Sequence, residues 1–369
     1  MKPLVSILIP AHNAEAWIAD TLKSAIAQTW QRKEIIVVDD GSTDRTAIIA
    51  KRFAPKEVAV VCTENQGAAA ARNRALELSR GDYIQWLDAD DLLAPDKIER
   101  QIATLREFDS RRILLSSPWA YFSYRTRRAR FVPTPLWQDL SPVEWLLRKM
   151  SGNMVFMQTA TWLTSRELTE TAGPWDARLI SDDDGEYFCR VLLASEGTRF
   201  VPEGRVFYRV TGTNRWSYVG TSDNKKKDAL LLSTKMHIQC LRSLEDSERV
   251  RKACLLYLQS KCIDVWPERP DLFAELQGLA VELQGQLEVP RLRWKYAWMK
   301  PLLGFGVAKR AQEALPQLKT SLARHWDKAM YKLEAREDVV NHNTTLRAVV
   351  KKTDIKKNSD AASSPNKLS

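Results

Sequence analysis

Three aspartates stand within four positions of the stretch QWLDADDLL, residues 85–93, directly after an apolar run. Like charges this close repel one another, so the arrangement needs a physical reason. Asp88 and Asp90, separated by one residue, offer the hard oxygen ligands that Mg²⁺ and Mn²⁺ prefer, usually together with water and substrate phosphates. The alternative is structural, with Asp91 capping a helix that has Pro95 in its first turn. A D-x-D sequence by itself does not decide between the two.

A second acidic stretch, VVDDGSTD at residues 37–44, follows another apolar run. Asp39 is a candidate acceptor of hydrogen bonds from a bound base or sugar. The alternative is an Asx turn in which Ser42 or Asp44 caps the next helix, because short polar loops between a strand and a helix commonly have this form. These residues alone leave both interpretations open.

A third acidic stretch, SDDDGEYFCR at residues 181–190, opens a helix that the pattern predicts over 184–195. Acidic residues are favourable at a helix N-terminus because they interact with the helix dipole, and this is the structural interpretation. The functional interpretation is that adjacent carboxylates raise one another's pKa. A raised pKa suits a general base that works near neutral pH.

The elements that position these acids alternate between strands and helices over the first hundred residues. Four apolar runs predict strands, namely LVSILIP, EIIVVDD, EVAVVC and GDYIQWLD. Between the first two, Ile18, Leu22 and Ile26 recur every four residues and indicate one face of a helix. This alternation predicts a mainly parallel sheet flanked by helices, with ligands beyond the carboxyl ends of the strands. Asp39 and Asp88 should therefore meet at one rim.

The rest of the chain predicts a mixed region followed by helices. Strands are expected at RILLSSPWAYF, QTATWLTS and RFVPEGRVFYRV, and residues 225–285 have a helical pattern throughout. We expect a catalytic domain over 1–220, with a nucleotide-binding half (1–110) and an acceptor half (111–220), then a helical region over 221–340. The polar residues 341–369 predict a disordered tail.

Composition places the chain among cytoplasmic proteins. Five scattered cysteines without C-x-x-C spacing suit a reducing compartment and argue against a disulfide framework or a zinc site. No apolar stretch reaches the roughly 20 residues of a membrane span, and no secretory signal is visible.

The net charge of +10 lies entirely in the C-terminal part, because residues 291–369 hold 17 basic and 7 acidic side chains. The neutral body argues against nucleic acid as a partner. Segment 291–310 mixes four aromatic residues with six Lys or Arg and no acid. One interpretation is a packed helix with a solvated basic face. The other is a peripheral anchor on an anionic lipid surface, at the inner face of the plasma membrane.

The motifs together resemble those of the family 2 glycosyltransferases, which have the GT-A fold. The resemblance rests on SILIPAHNAEAWIADTLKSAIAQTW, EIIVVDDGSTD, ENQGAAAARNRAL and GDYIQWLDADD, in that order, and covers roughly residues 1–215. It implies an α/β, Rossmann-like fold with a mixed, mainly parallel sheet, to which a helical C-terminal extension is added here.

The resemblance also implies roles for matching positions. The residues expected around the nucleotide are Pro10, Ala11, His12, Asp39, Arg72 and Asp88. Among them, Asp39 would contact the uracil and Asp88 the ribose side. Asp90 would ligate the Mn²⁺ or Mg²⁺ that bridges the donor diphosphate.

Alignment of the third acidic stretch on Arg190 makes Asp183 and Asp184 the family's acidic pair, with Asp183 at the substrate and Asp184 as the general base. YRVTGTNRWS, residues 208–217, resembles the loop that closes over the substrates, where Arg209 or Arg215 would hold phosphate. An exposed turn is the alternative.

Processive members of the family carry Q-x-x-R-W. Here Arg215 and Trp216 supply the R-W, but Gly212 replaces the glutamine, which favours a single transfer.

The expected function is a metal-dependent, inverting glycosyltransferase of the hexosyltransferase type. It would move one sugar from a nucleotide-sugar, expected to be UDP-linked, to a hydroxyl of a glycan or lipid-linked acceptor in polysaccharide or cell-envelope glycan synthesis. One alternative is a sugar nucleotidylyltransferase, but IPAHNAEAW lacks the Gly-rich basic loop expected after its first strand. The other is a non-catalytic module that binds a nucleotide-sugar or a membrane.

Overall fold

The four apolar runs of the first ninety residues form four parallel strands of one sheet, as predicted. The computed structural model describes residues 2–54, 57–108, 110–151, 156–211 and 223–362, with no side chain described for residue 107 or for 335–362. The strands are β1 (Val5–Ala11), β2 (Lys33–Asp40), β3 (Ala59–Thr63), β4 (Tyr83–Trp86), β5 (Leu92–Leu93), β6 (Ile113–Ser116), β7 (Trp119–Phe122), β8 (Thr164–Ser165), β9 (Gly197–Phe200) and β10 (Val206–Arg209).

Helices cover the sheet and make up the second half of the chain. They are α1 (Ile18–Ile26), α2 (Thr46–Lys51), α3 (Ala68–Leu78), α4 (Lys97–Thr104), α5 (Pro142–Met150), α6 (Arg166–Ala172), α7 (Asp183–Ala194), α8 (Asn224–Leu244), α9 (Glu248–Val265), α10 (Pro270–Glu282), α11 (Trp294–Ala297) and α12 (Lys300–Ala362). The last of these is interrupted at Gly304, where φ is 80°.

The central sheet has the order β3-β2-β1-β4-β8, in which only the short edge strand β8 is antiparallel. Strands β1 and β4 are buried on both faces, as expected for parallel strands between helix layers. The predicted face of α1 is confirmed, since Ile18 and Leu22 are fully buried. The carboxyl ends of β1, β2 and β4 therefore meet at one rim.

The predicted strand QTATWLTS is mostly wrong. Residues Thr159–Thr161 form a 3-10 turn, and only Thr164–Ser165 pair as a strand. The Gln158 side chain accepts a hydrogen bond from the amide of Ala160, and the Thr161 hydroxyl donates to the carbonyl of Gln158. Such local side-chain bonds compete with the strand ladder and bend the chain.

The helices after residue 223 share one apolar core with the sheet. Trp86 and Trp162, from the first part of the chain, lie in the same cluster as Leu231, Val250 and Leu276 of α8, α9 and α10. A second cluster fills the other face of the sheet, around Ile7 and Leu22. The boundary at 220 falls among residues outside the described ones, and the domain limits and the disordered tail stay predictions.

Helix α12 packs against the segments that follow β7 and β10, where polar contacts hold it. Arg125 is 7% exposed and pairs with Asp327 (Nε to Oδ1, 2.7 Å) and with Glu334 (Nη1 to Oε1, 2.7 Å). Asp327 also accepts from the backbone amide of Tyr124 at 2.9 Å, and Arg324 donates to the carbonyl of Thr211 at 2.6 Å.

Replacement Arg125→Ala should loosen this attachment, because Asp327 and Glu334 lose their shared cation. We expect α12 to be cleaved by thermolysin about tenfold faster, since proteolysis follows local opening. The matched control is Arg127→Ala, which removes a guanidinium that also touches Glu334 but is 68% exposed, and which should change the rate little. Equal cleavage of the two variants would contradict the role of Arg125.

Candidate active site

A cavity of about 1070 Å³ opens at the carboxyl ends of the parallel strands. Nearly all the side chains predicted for the site line it, namely Pro10, Ala11, His12, Arg72, Asp88, Asp90, Asp183, Asp184 and Arg209. They come from β1, α3, the loop after β4, the start of α7 and the end of β10. Chain segments nearly two hundred residues apart therefore converge on one space.

One predicted residue stands apart from this wall, and another lies outside the described residues. Asp39 does not line the cavity but lies beside Ala11, its partner in the β1–β2 register. It is buried, accepts from the amide of Ser42 at 3.3 Å, and leaves Oδ1 without a hydrogen-bond partner among the described residues. Arg215 lies outside the described residues, and so do Gly212 and Trp216.

Arg72 joins the two acidic stretches. Its guanidinium donates to Oδ2 of Asp183 at 2.6 Å and to Oδ1 of Asp88 at 2.9 Å, and the residue is only 6% exposed. It also lies over the ring of Trp175, 4.4 Å from the centroid. A buried charge is costly unless it is paired, so each of the three charged groups depends on the others.

An aromatic cluster fixes the position of α7 against the sheet. Trp175 stacks on Tyr187 with centroids 4.0 Å apart, and both rings meet Trp86 edge to face. Trp86 ends β4 two residues before Asp88, and Tyr187 lies one turn after Asp183. Large buried rings of this kind restrict the orientation of both elements, so the acids at their ends face each other.

Asp184 has the properties of a general base. Its Oδ2 accepts from the Thr159 hydroxyl at 3.1 Å, and its Oδ1 accepts from the amide of Gly185 at 2.9 Å. Burial, with Asp183 and Asp182 adding to it, raises the pKa of Asp184 to about 7. The neighbouring Arg72 and Lys149 oppose this rise. A carboxyl of this kind can accept a proton from a hydroxyl near neutral pH.

Asp91 is a structural residue, and the cap proposed for it is wrong. Its Oδ1 accepts from the amide of Arg209 at 2.8 Å, and its Oδ2 accepts from the side chain of Gln158. Burial, together with Asp90 and Asp88, raises the pKa of Asp91 well above its usual range. The N-cap position of α4 is Asp96. Asp91 therefore ties the D-x-D loop to β10.

Arg209 lines the cavity, but its guanidinium already has protein partners. It donates to the carbonyl of Asp90 at 2.7 Å and to that of Ser123 at 3.1 Å, and it lies over the ring of Trp17 at 4.7 Å. These contacts position the backbone that presents Asp90. Its contact with phosphate stays a prediction.

The acidic residues suit a cation only in combination with a substrate. Within the described part of the chain, no group of three or more His, Cys, Asp or Glu side chains is placed to hold a metal ion. Asp90 is half-buried at the cavity wall, while Asp88 is already bonded to Arg72. Mg²⁺ and Mn²⁺ commonly bind through one or two carboxylates plus substrate phosphates, and Asp90 fits that pattern.

Sequence reasoning missed several residues that build the site. Asp40 accepts from the amides of Gln66 (2.8 Å) and Gly67 (2.9 Å), which fixes the start of α3 and hence Arg72. Gly67 has φ 93°, which disfavours residues with a side chain. The paired VVDD was a signal for Asp40.

Lys149 of α5 and Thr159 of the 3-10 turn also border Asp184, and neither had a recognisable signal. Burial would lower the pKa of Lys149, but Cys189, Asp182 and Asp184 together raise it. Lys149 therefore stays charged beside Asp184. Both residues reach the cavity through tertiary folding alone.

Comparison with known proteins shows which family residues 6–170 resemble. Residues 6–170 match the model of glycosyl transferase family 2. An uncharacterized glycosyltransferase of Haemophilus influenzae is 44% identical over 103 residues, which cover 27% of this chain and 41% of that protein. The putative teichuronic acid biosynthesis glycosyltransferase TuaG of Bacillus subtilis is 42% identical over 109 residues, covering 29% and 43%.

The matched residues 6–170 correspond to a glycosyl transferase family 2 domain. The crystal structure of S. aureus TarS 1–349 in complex with UDP-GlcNAc superposes on this chain with a TM-score of 0.60 and 18% sequence identity. The match covers 85% of this chain and 92% of the TarS chain. That likeness confirms the GT-A fold with its helical C-terminal region. The matches span about two fifths of the length of the curated relatives. No helix in the described part of this chain combines the length and apolarity that a bilayer crossing requires.

Replacement Arg72→Ala should lower the free energy of unfolding by about 3 kcal/mol at pH 8, because Asp88 and Asp183 lose their buried counter-charge. The loss should shrink at pH 5.5, because Arg72 opposes the rise that burial causes in the pKa of Asp183, and without Arg72 that carboxyl takes up a proton more readily. Urea unfolding at the two pH values measures both effects.

The control for this prediction is Arg74→Ala on the same helix. Arg74 pairs with Glu77 at the surface, and its side chain is 47% exposed, so its removal should cost less than about 0.5 kcal/mol. Similar losses for the two variants would show that the buried pairing adds no stability.

Proposed function

We propose that this protein transfers a single sugar, with inversion, from a UDP-sugar to a hydroxyl group. The observation that supports this most directly is the placement of Asp90 and Asp184 on the wall of one cavity, although they come from different chain segments. An in-line displacement needs the leaving diphosphate and the general base on opposite sides of the sugar. Separate segments can provide the two sides.

The nucleotide is proposed to bind at the ends of β1 and β2. Pro10, Ala11 and His12 border the base, and the unpartnered Oδ1 of buried Asp39 is a suitable acceptor for the uracil N–H. Asp88, held by Arg72, lies on the ribose side. UDP and UDP-GlcNAc are bound by TarS, whose fold this chain shares, which supports a donor of the same class.

Asp90 is proposed to hold Mn²⁺ or Mg²⁺ together with the donor diphosphate. When bound, such a cation neutralises the negative charge that grows on the diphosphate as the glycosidic bond breaks. The chain's part is to position the backbone that carries this carboxylate, which the hydrogen bond from Arg209 to the Asp90 carbonyl does.

Asp184 is proposed to take the proton of the acceptor hydroxyl as its oxygen attacks the anomeric carbon. Thr159 orients the carboxylate, and Asp183, fixed by Arg72, lies beside it at the substrate. A bound sugar excludes water, which strengthens these interactions.

The acceptor is proposed to be a glycan or a lipid-linked glycan in polysaccharide or cell-envelope synthesis, in line with the relative named for teichuronic acid biosynthesis. We place the enzyme in the cytoplasm, at the inner face of the plasma membrane, with segment 291–310 in contact with anionic lipid. Trp294 and Trp298 are 80% and 63% exposed, which suits an interface. Lys309 is buried against Glu268 and the carbonyl of Trp266, so it is not part of that surface.

A non-catalytic nucleotide-sugar module is the second candidate. Such a module has no use for a buried carboxyl with a raised pKa beside the acceptor side of the cavity, so the state of Asp184 favours the enzyme.

The transfer rate should fall as the pH drops through about 7, because protonated Asp184 cannot accept the acceptor proton. Asp184→Asn should reduce transfer by at least about a thousandfold at every pH, while UDP affinity stays within about twofold of wild type. Coupled assays of UDP release and calorimetry measure the two quantities. Normal turnover by this variant would require another base.

Replacement Asp90→Ala should abolish the Mn²⁺-dependent part of UDP binding in calorimetric titration, because one carboxylate supplies the protein's share of the ligands. The matched control is Asp82→Asn, an exposed carboxyl on the amino-terminal side of β4, which should leave the titration unchanged. Titrations of Asp90→Ala that equal wild type would refute the metal role.

A further inference from the structure

Helix α12 has an inverted arrangement of polar and apolar side chains over 315–333. At about 100° per residue, the apolar residues Leu315, Leu318, Leu322, Trp326 and Leu333 fall within about 80° of one another. We name these five the outer stripe. All are exposed, and Leu322 and Trp326 are each 64% exposed.

The opposite side of the same helix attaches it to the segments that follow β7 and β10. Arg324 donates to the carbonyl of Thr211, Asp327 pairs with Arg125, and the ring of Tyr331 meets that of Tyr124 with centroids 6.0 Å apart. A surface helix ordinarily turns its apolar side to the core and its polar side to water. Here the polar side is docked and the apolar side faces outward, which indicates an apolar surface outside this chain.

The charges beside the outer stripe are positive. Lys319 and Lys332 are exposed, whereas Asp327, the one acid in the sequence from 315 to 333, is turned inward onto Arg125. An anionic surface would therefore be attracted along the whole stripe. A second copy of the chain would instead bring like charges together along the contact.

We propose that the outer stripe lies in the interface of an anionic lipid bilayer, with the lysines at the level of the headgroups. A helix of 19 residues is about 28 Å long. The outer stripe shares no residue with segment 291–310, so the two contacts can be tested separately. The proposed contact also does not depend on sugar transfer.

The docked side gives this contact a consequence for orientation. Thr211, whose carbonyl is bonded to Arg324 at 2.6 Å, lines the cavity. A bilayer seated on the outer stripe therefore sits at a fixed distance and angle from the cavity mouth. Acceptors presented from the membrane surface would be favoured over free ones.

The test uses the full chain and vesicle co-sedimentation without donor or acceptor. The vesicles are phosphatidylcholine alone and phosphatidylcholine mixed with phosphatidylglycerol. Wild type should pellet with the mixed vesicles, and Leu318→Ser/Leu322→Ser/Trp326→Ser should bind them at least about tenfold more weakly. The matched control removes three exposed apolar side chains elsewhere, Ile48→Ser/Val281→Ser/Val289→Ser, and should bind like wild type.

A second variant tests the charge. Lys319→Glu/Lys332→Glu keeps the apolar stripe and should lose binding to the mixed vesicles by about tenfold, with a weaker dependence of binding on salt. Wild-type binding by the triple serine variant would overturn the proposal. So would a wild-type dimer in analytical ultracentrifugation that the triple variant dissolves, with no vesicle binding by either, since the stripe would then join two copies.

Discussion

The geometry of the site depends on one buried positive charge, the guanidinium of Arg72. Arg72 bonds Asp88, which follows the fourth strand, and Asp183, which begins α7, and so connects the two acidic segments of the cavity. Without it, the two carboxylates would lose the positive charge that compensates their burial. The rings of Trp86, Trp175 and Tyr187, with Trp175 stacked on Tyr187 and Trp86 edge to face, support this guanidinium. Electrostatics and packing thus determine the same geometry.

The three aspartates after β4 divide their tasks by environment. Asp88 is bonded to Arg72, Asp90 is at the cavity wall, and Asp91 is fully buried against β10 and Gln158. Of the three, Asp90 is the one proposed to ligate a cation together with the donor diphosphate. The repulsion within DADD persists at Asp91, whose pKa is raised by burial and by Asp90 and Asp88, and the backbone amide of Arg209 offsets part of it.

Much of the fold follows from sequence, because apolar runs and helical periodicity are local signals. The four parallel strands and the rim at their carboxyl ends were predicted in this way, and so was the start of α7. What could not be predicted is set by contacts between distant positions. Asp91 meets the amide of Arg209 118 residues away, and Arg72 meets Asp183 111 residues away. The same holds for α12, whose outward apolar side is recognisable only once its docked side is known.

The apolar core that joins the sheet to α8, α9 and α10 limits how this protein can evolve. Trp86 and Trp162 pack in the same cluster as Leu231 and Leu276, so these helices share their interior with one face of the sheet. Recombination that swaps the helical region between relatives would mismatch side chains across that shared interior. Diversification should therefore proceed through point substitutions and loop changes, and the sheet and the helical region should be inherited together.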